Sequence, residues 1–156
     1  MTTNVVPRWL LVILRLHLGA ILLITDAGKL FRAEPFAVEM AGFINFALKR
    51  PGWTWYHDFL RATVLPHATA FSYLVMIAEL VAGICLLTGT FTRAGAAIAM
   101  LLFFNYMLAK GRWFLSPDSE DAAVFFSALV VMLGAAGRAF GFDVFLARRW
   151  PRALIW

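Results

Sequence analysis

Residues 69–88 read TAFSYLVMIAELVAGICLLT, an apolar stretch interrupted by one acidic residue, Glu79. Its length matches the roughly 20 residues that an α-helix needs to cross the hydrocarbon core of a bilayer. An ionised carboxylate near the middle of such a helix is costly, so Glu79 must be paired, buried against protein or used in function. Ala82 and Gly83 follow one turn later, and small residues there favour close packing against other helices. The stretch therefore predicts a transmembrane helix with a buried acidic site.

The whole chain has the composition of an integral membrane protein. Of its 156 residues, 62% are hydrophobic and 15% are charged, and the mean hydropathy is +0.79, which indicates one membrane domain over residues 1–156. The net charge of +5 comes from basic residues at the ends of apolar runs, which argues against nucleic-acid binding. The single cysteine, Cys85, excludes an intrachain disulfide and any C-x-x-C redox or zinc motif.

Four apolar stretches have about the length of membrane spans: residues 9–31, 69–88, 94–109 and 121–139. The predicted fold class is therefore an all-α integral membrane bundle of four transmembrane helices, with both termini on one side. Arginines are concentrated in short stretches on the terminal side, which favours cytoplasmic termini although basic residues are equal in number on the two sides. Charged residues interrupt the first span, so we expect it to stay in the mature protein.

Residues 32–68 connect the first two spans and are too apolar for a disordered linker. Glu34 and Pro35 suit the start of a helix, and apolar residues then recur at intervals of three and four until Lys-Arg-Pro-Gly at residues 49–52. We predict an amphipathic helix in the outer interface, followed by residues 53–56 at the depth of the lipid headgroups. A substrate lid is the alternative interpretation.

Three groups of residues stand out in order along the chain. They are Arg15-x-x-x-Gly19 with Asp26-x-Gly28-Lys29-Leu30, then Glu79-x-x-x-Gly83 running into residues 87–94, and finally the Gly-rich residues 134–137 followed by Phe142-Asp143. This order and spacing resemble the DoxX family of small four-helix membrane proteins. Some members form the membrane part of a thiosulfate:quinone oxidoreductase, and others associate with soluble redox or sulfur-transfer proteins. The resemblance implies a redox-linked subunit of the bacterial cytoplasmic membrane, with other membrane or redox subunits as partners. No covalently bound cofactor is expected, and a quinone is the candidate cofactor.

Polar residues of the first span share one helix face, which His17 does not join. The residues of this stripe are Arg15, Gly19, Leu22, Asp26 and Lys29. Asp26 and Lys29 lie near the outer boundary, three residues apart, where they can pair with each other or reach the headgroups.

Helix depth indicates which partners can reach Glu79. With the ends of the first two spans aligned, Arg15 lies about 9 Å above the inner boundary and Glu79 about 14 Å. An arginine side chain can bridge that difference, and Asn105 and Tyr106 of the third span lie near the depth of Glu79. We therefore predict a buried network of Arg15, Glu79, Asn105 and Tyr106. Such a network either fixes helix register or assembly, or exchanges protons with a quinone oxygen.

No catalytic residue and no metal site are assigned from the sequence. His17 lies in the inner half of the first span, whereas His57 and His67 lie in the outer connection, so a bis-histidine haem site is not predicted. Nucleotide-binding loops, serine nucleophile elbows and paired catalytic carboxylates are also missing from the sequence. The chain is thus expected to be, at most, one subunit of a quinone-linked oxidoreductase.

Two other functions remain open. Small-residue patches at residues 94–97 and 134–137, together with 15 phenylalanines, suit a purely structural subunit of a larger membrane complex. A loose likeness between residues 19–25 and 82–88 suggests an inverted repeat, as in a small-solute or proton transporter that forms its pathway as a homo-oligomer.

Overall fold

The computed structural model describes residues 7–150, and every regular element in that part of the chain is helical. The α-helices are α1 (Arg8–Leu30), α2 (Phe36–Ala47), α3 (Thr54–Phe59), α4 (Ala68–Thr88), α5 (Thr92–Ala109), α6 (Glu120–Leu133) and α7 (Asp143–Arg149). The prediction of an all-α protein is confirmed.

Helices α1, α4, α5 and α6 pack in a closed ring, in which each contacts the next and α6 returns to α1. Neighbouring members run antiparallel, so α6 ends beside the start of α1. Small and branched apolar residues fill the space between them, namely Leu18, Leu22, Ala82, Leu86, Ala96, Ala99, Ala128, Val131 and Ala136. The alanines let the backbones approach closely, as in other packed membrane helices.

Glycines on α1 and α4 set the register between these two helices. A Cβ atom placed on Gly19 would lie 2.9 Å from the backbone nitrogen of Leu87, and one on Gly83 would lie 2.6 Å from the side chain of Leu23. Neither position has room for a larger residue. The two glycines therefore fix where α1 and α4 meet.

Replacing Gly19 with alanine is expected to destabilise the bundle by about 1–3 kcal/mol, because the added methyl group meets the backbone of α4. Gly28→Ala is the matched control on the same helix, since a Cβ there has no heavy atom within 4 Å. Alanine at position 28 should be neutral or stabilise by up to about 1 kcal/mol through helix propensity. Thermal unfolding of both variants in detergent would measure the difference, and an unchanged midpoint for Gly19→Ala would contradict the close contact.

Three helical stretches within residues 7–150 are long and apolar enough to cross a membrane: Arg8–Leu30, Thr54–Thr88 and Thr92–Ala109. They contain the first three predicted spans almost completely. The fourth predicted span, residues 121–139, is α-helical only to Leu133. Helix α6 has 14 residues, which is about 21 Å at the α-helical rise, against a hydrocarbon core of about 30 Å. Helix α6 is therefore shorter than the hydrocarbon core is thick.

Most of residues 32–68, which connect the first two predicted spans, are helical. Helix α2 begins directly after Pro35, as predicted, and packs against α4. Helix α3, a π-helical turn at Leu60–Val64 and a 3-10 turn at Leu65–His67 then run into α4 as one helix of 35 residues, Thr54–Thr88. Pro66 explains the irregular turns, because it has no N–H to donate and its ring disturbs the regular hydrogen-bond pattern.

This extension of α4 forms a second apolar core near the end of α5. Its buried members are Ile44, Tyr56, Leu60, Val64, Leu108 and Ala109. Tyr56 is 6% exposed and donates a hydrogen bond of 3.0 Å to Oδ1 of Asn105, and the headgroup depth of residues 53–56 stays a prediction. Trp53 and Trp55 are exposed. Packing of α2 and α3 against the bundle thus anchors much of the connection, whereas the interfacial position of α2 stays a prediction.

Candidate functional site

Four polar side chains meet between α1, α4 and α5, and we call them the Glu79 cluster: Asp26, Lys29, Glu79 and Tyr106. Asp26 follows Gly19 by two helical turns, and Glu79 precedes Gly83 by one turn. Because α1 and α4 run antiparallel, these spacings place both acids on the same side of the glycine contact. Asp26 is 2% exposed and Glu79 is 3% exposed.

Both carboxylate oxygens of Glu79 have a partner. The Lys29 ammonium forms a salt bridge with Oε2, and the Tyr106 hydroxyl donates a hydrogen bond of 2.6 Å to Oε1. Hydrogen bonds to an ionised acceptor are stronger than those between neutral groups. The Lys29 ammonium also lies 4.6 Å from the ring centroid of Phe36, so the first residue of α2 contacts the cluster.

Asp26 is the unsatisfied member of the Glu79 cluster. Its Oδ1 is buried and has no hydrogen-bond partner within residues 7–150, although its charge interacts with those of Glu79 and Lys29. Lys29 forms a salt bridge with Glu79 and interacts electrostatically with Asp26, so ionisation of both carboxyl groups would leave a net negative charge away from water. Such a buried charge is strongly unfavourable, and one proton on the carboxyl pair removes it. The arrangement is therefore chemically suited to hold and release a proton.

Arg15 does not join Glu79, contrary to the predicted network. Its guanidinium donates to the carbonyl oxygens of Ala136 and Phe140 at 3.4 and 3.3 Å. The prediction aligned the ends of the apolar runs of α1 and α4. In the structure the glycine contact sets the register between these helices, and it differs from the predicted alignment by about seven residues, or roughly 10 Å. The same displacement brings Asp26 and Lys29 to Glu79, so the predicted outer pair is part of the cluster.

Asn105 also lies apart from Glu79, whereas its neighbour Tyr106 contacts it as described. The side-chain N–H of Asn105 donates a hydrogen bond of 2.7 Å to the carbonyl oxygen of Leu101. The side-chain oxygen of Asn105 accepts a hydrogen bond from the Tyr56 hydroxyl. Successive residues on a helix point about 100° apart, so only one of the two can face Glu79. Within residues 7–150, no group of three or more histidine, cysteine or acidic residues could hold a metal ion.

A second buried polar site, the Asp143 centre, lies near the start of α1. Asp143 is 0% exposed and accepts hydrogen bonds from the backbone N–H groups of Phe91 at 2.7 Å and Thr92 at 2.9 Å. It therefore caps the N-terminus of α5 from a distant part of the chain. Its own N–H donates to the carbonyl oxygen of Gly89 at 2.8 Å, and its charge interacts with that of Arg15.

The Asp143 centre unites motifs that the sequence shows far apart: Arg15, the turn at residues 89–92 and the Gly-rich end of the chain. Glycine is required at two positions, since a Cβ on Gly137 would overlap the Asp143 carboxylate and one on Gly141 would overlap the Arg15 guanidinium. Sequence reasoning singled out these residues without predicting that they meet. The available signal was α5 itself, which begins after a tight turn and has no side-chain cap from its own N-cap residue.

A known protein family matches most of this chain. The family model described as DoxX matches residues 10–111, about two thirds of the chain. The matched range includes every residue of the Glu79 cluster but not Asp143. Searches of curated proteins and of solved structures found no match. The predicted family is confirmed by the first of these findings.

Proposed function

Since this chain belongs to the DoxX family, we propose that it is the membrane subunit of a redox complex in which the Glu79 cluster exchanges a proton with a quinone. The observation that carries the proposal is the pair of buried carboxyl groups, Asp26 and Glu79, beside Lys29, which forms a salt bridge with Glu79 and interacts electrostatically with Asp26. Oδ1 of Asp26 is buried and has no hydrogen-bond partner within residues 7–150, so this oxygen can form a hydrogen bond with a substrate that enters the site. A proton donor near its substrate in a water-poor site is the usual requirement of general acid catalysis.

Reduction of a quinone to a quinol takes up two electrons and two protons. We assign the electrons to a partner redox protein and one proton to the Asp26–Glu79 pair. After the proton leaves, Lys29 stabilises the resulting anion and Tyr106 keeps Glu79 in place through its 2.6 Å hydrogen bond. The pair then regains its proton from solvent, which also supplies the second proton of the reaction.

Access to the Glu79 cluster is from the lipid side of the bundle. The Lys29 side chain is 15% exposed, and the apolar neighbours Leu30 and Phe31 are largely exposed. A lipid-soluble substrate can therefore approach through the bilayer, between α1 and the first turn of α2. Transport along the bundle axis is less well supported, because Leu18, Leu22 and Leu86 fill the core.

Binding of ubiquinone-1 to the purified protein in nanodiscs tests the proposal. Asp26→Asn and Glu79→Gln are each expected to weaken binding about tenfold through the loss of a charge-assisted contact. Glu39→Gln is the matched control, since Glu39 is an exposed acid of α2 paired with Arg32. Equal affinity in all three variants and the wild type, or no binding to the wild type, would refute the proposed site.

A structural subunit without a substrate is the second candidate function. It is favoured by the observation that both oxygens of Glu79 are satisfied within the chain. Two clefts, moreover, are lined by residues at the Asp143 end of the bundle and not by the Glu79 cluster. Recovery of a stoichiometric protein partner together with failure to bind ubiquinone-1 would support this function.

We further propose that α6 crosses the bacterial inner membrane as a fourth span and that both termini are cytoplasmic. Its outward face is apolar, with Phe126, Val130 and Leu133 exposed. Reporter domains fused at either end are expected to be cytoplasmic, and one inserted after Leu115, between α5 and α6, is expected to be periplasmic. A periplasmic C-terminal reporter combined with a cytoplasmic N-terminal one would show that α6 does not span.

A further inference from the structure

A cleft of about 240 Å³ lies between the start of α1 and the segment that follows α6. Its lining consists of Arg8, Leu11, Gly134, Ala135, Arg138 and Ala139. None of these residues belongs to the Glu79 cluster, and neither Arg15 nor Asp143 lines the cleft. The volume is below the roughly 300–1,000 Å³ of typical sites for drug-sized ligands, so the cleft suits a small group or one end of a larger molecule.

The cleft exists because α6 stops before α1 begins. Gly134 permits a close contact at this point, since a Cβ on it would lie 2.9 Å from Cδ1 of Leu11. The chain then leaves the α-helix at Ala135, with a φ of 47°, and makes the 3-10 turn Ala136–Arg138. This early end leaves a notch beside α1, on the side of the bundle where the exposed Trp9 marks the usual depth of the interface.

The charges around the cleft all have one sign. Arg8 and Arg138 are exposed, and neither forms an ion pair or hydrogen bond through its side chain to another residue within 7–150. No acidic residue lines the cleft, and its walls between the two arginines are apolar. Guanidinium groups match the geometry of phosphate oxygens and bind them bidentately.

We propose that this cleft binds the phosphate of an anionic phospholipid. The two arginines contact the phosphate, and the apolar wall formed by Leu11 and Ala139 contacts the glycerol and the first part of an acyl chain. A free phosphate ion would leave that wall uncovered, which is why the geometry favours the lipid. Basic pockets between membrane helices are known to take anionic lipid headgroups. The bound lipid would fill the space left by the short α6.

Native mass spectrometry with phosphatidylglycerol tests the site in the full-length protein. The wild type is expected to retain one phosphatidylglycerol, and the affinity of Arg8→Gln/Arg138→Gln should fall about tenfold or more. The matched control is Arg148→Gln/Arg149→Gln, which removes the same charge from exposed positions of α7 outside the cleft and should bind like the wild type. Circular dichroism checks that both variants are folded.

Two competitors separate the possible ligands. Phosphatidylcholine should not replace phosphatidylglycerol, because its headgroup has no net charge, and inorganic phosphate at millimolar concentration should not displace the lipid. Displacement by inorganic phosphate would make the cleft a site for free phosphate and overturn the proposal. So would equal losses in the two double variants, because binding would then depend on overall charge.

Discussion

Lys29→Met is expected to lower the free energy of unfolding by about 3–5 kcal/mol, the range observed when one partner of a buried ion pair is removed. Lys29 is the one cation that contacts Glu79 within the described part of the chain, and it also interacts electrostatically with the buried Asp26. Its removal leaves two carboxyl groups in an apolar environment with only the Tyr106 hydroxyl as a donor. Chemical unfolding in mixed micelles, followed by circular dichroism, measures this loss.

A control and a second variant make the Lys29 result specific. Arg32→Gln removes an exposed ion pair with Glu39 and should cost no more than about 1 kcal/mol. Glu79→Gln should cost less than Lys29→Met, because Lys29 can turn to Asp26 and because its side chain is 15% exposed and can extend toward the headgroups. If Glu79→Gln is the more damaging of the two, Asp26 is not the alternative partner of Lys29 and the description of a shared site is wrong.

Helix positions followed readily from the sequence because the hydrocarbon core imposes a length on each apolar run. The predicted span at 9–31 and α1 at Arg8–Leu30 differ by one residue at each end, and α5 ends at the predicted residue, Ala109. Pro35 correctly marked the start of α2. The end of α6 was placed too late in the chain. Gly134, directly after Leu133, marks the helix end, but the prediction of a span over residues 121–139 did not use it.

The contact between Glu79 and Tyr106 was predicted, but the partners of Arg15, Asp26 and Lys29 were not, because they depend on the relative translation of α1 and α4. The length of an apolar run locates a helix along its axis only to within several residues. The contact of Gly19 with α4 sets the position of α1 relative to α4 to within about one residue. The polar stripe of α1 was correctly identified as one face, but its two ends contact different sites. Arg15 contacts the segment that follows α6, at Ala136 and Phe140, and Lys29 contacts Glu79. A stripe of polar residues thus predicts which face is buried and not which residues meet.

The Asp143 centre connects three parts of the fold that are far apart in the sequence. Helix α5 begins with unsatisfied N–H groups, and the carboxylate that accepts them comes from the first turn of α7. Arg15 places a positive charge near that carboxylate and donates to the backbone before α7. The start of α1, the start of α5 and the C-terminal segment therefore depend on one another.

Asp143→Ala is accordingly expected to destabilise the protein by about 3–5 kcal/mol. The substitution removes both acceptors of the α5 N-terminus, which is worth about 0.5–2 kcal/mol for an ordinary cap. It also removes the negative charge that interacts with the buried charge of Arg15. Hydrogen–deuterium exchange should rise most at residues 89–93 and 134–149, because these segments are held together by Asp143. The Glu79 cluster should keep its protection, since it lies on the other side of the glycine contact.

The Asp143 result has its own controls. Asp118→Ala removes an exposed acid paired with Arg112 and should change stability by no more than about 1 kcal/mol. Arg15→Met/Asp143→Asn should cost less than the two single substitutions together, because the double variant leaves no unpaired charge and Asn keeps one oxygen for the α5 N-terminus. Strict additivity of the two substitutions would mean that Arg15 and Asp143 act independently. In that case the C-terminal segment is held only by its hydrogen bonds to α5 and the turn before it, and not by the charge of α1.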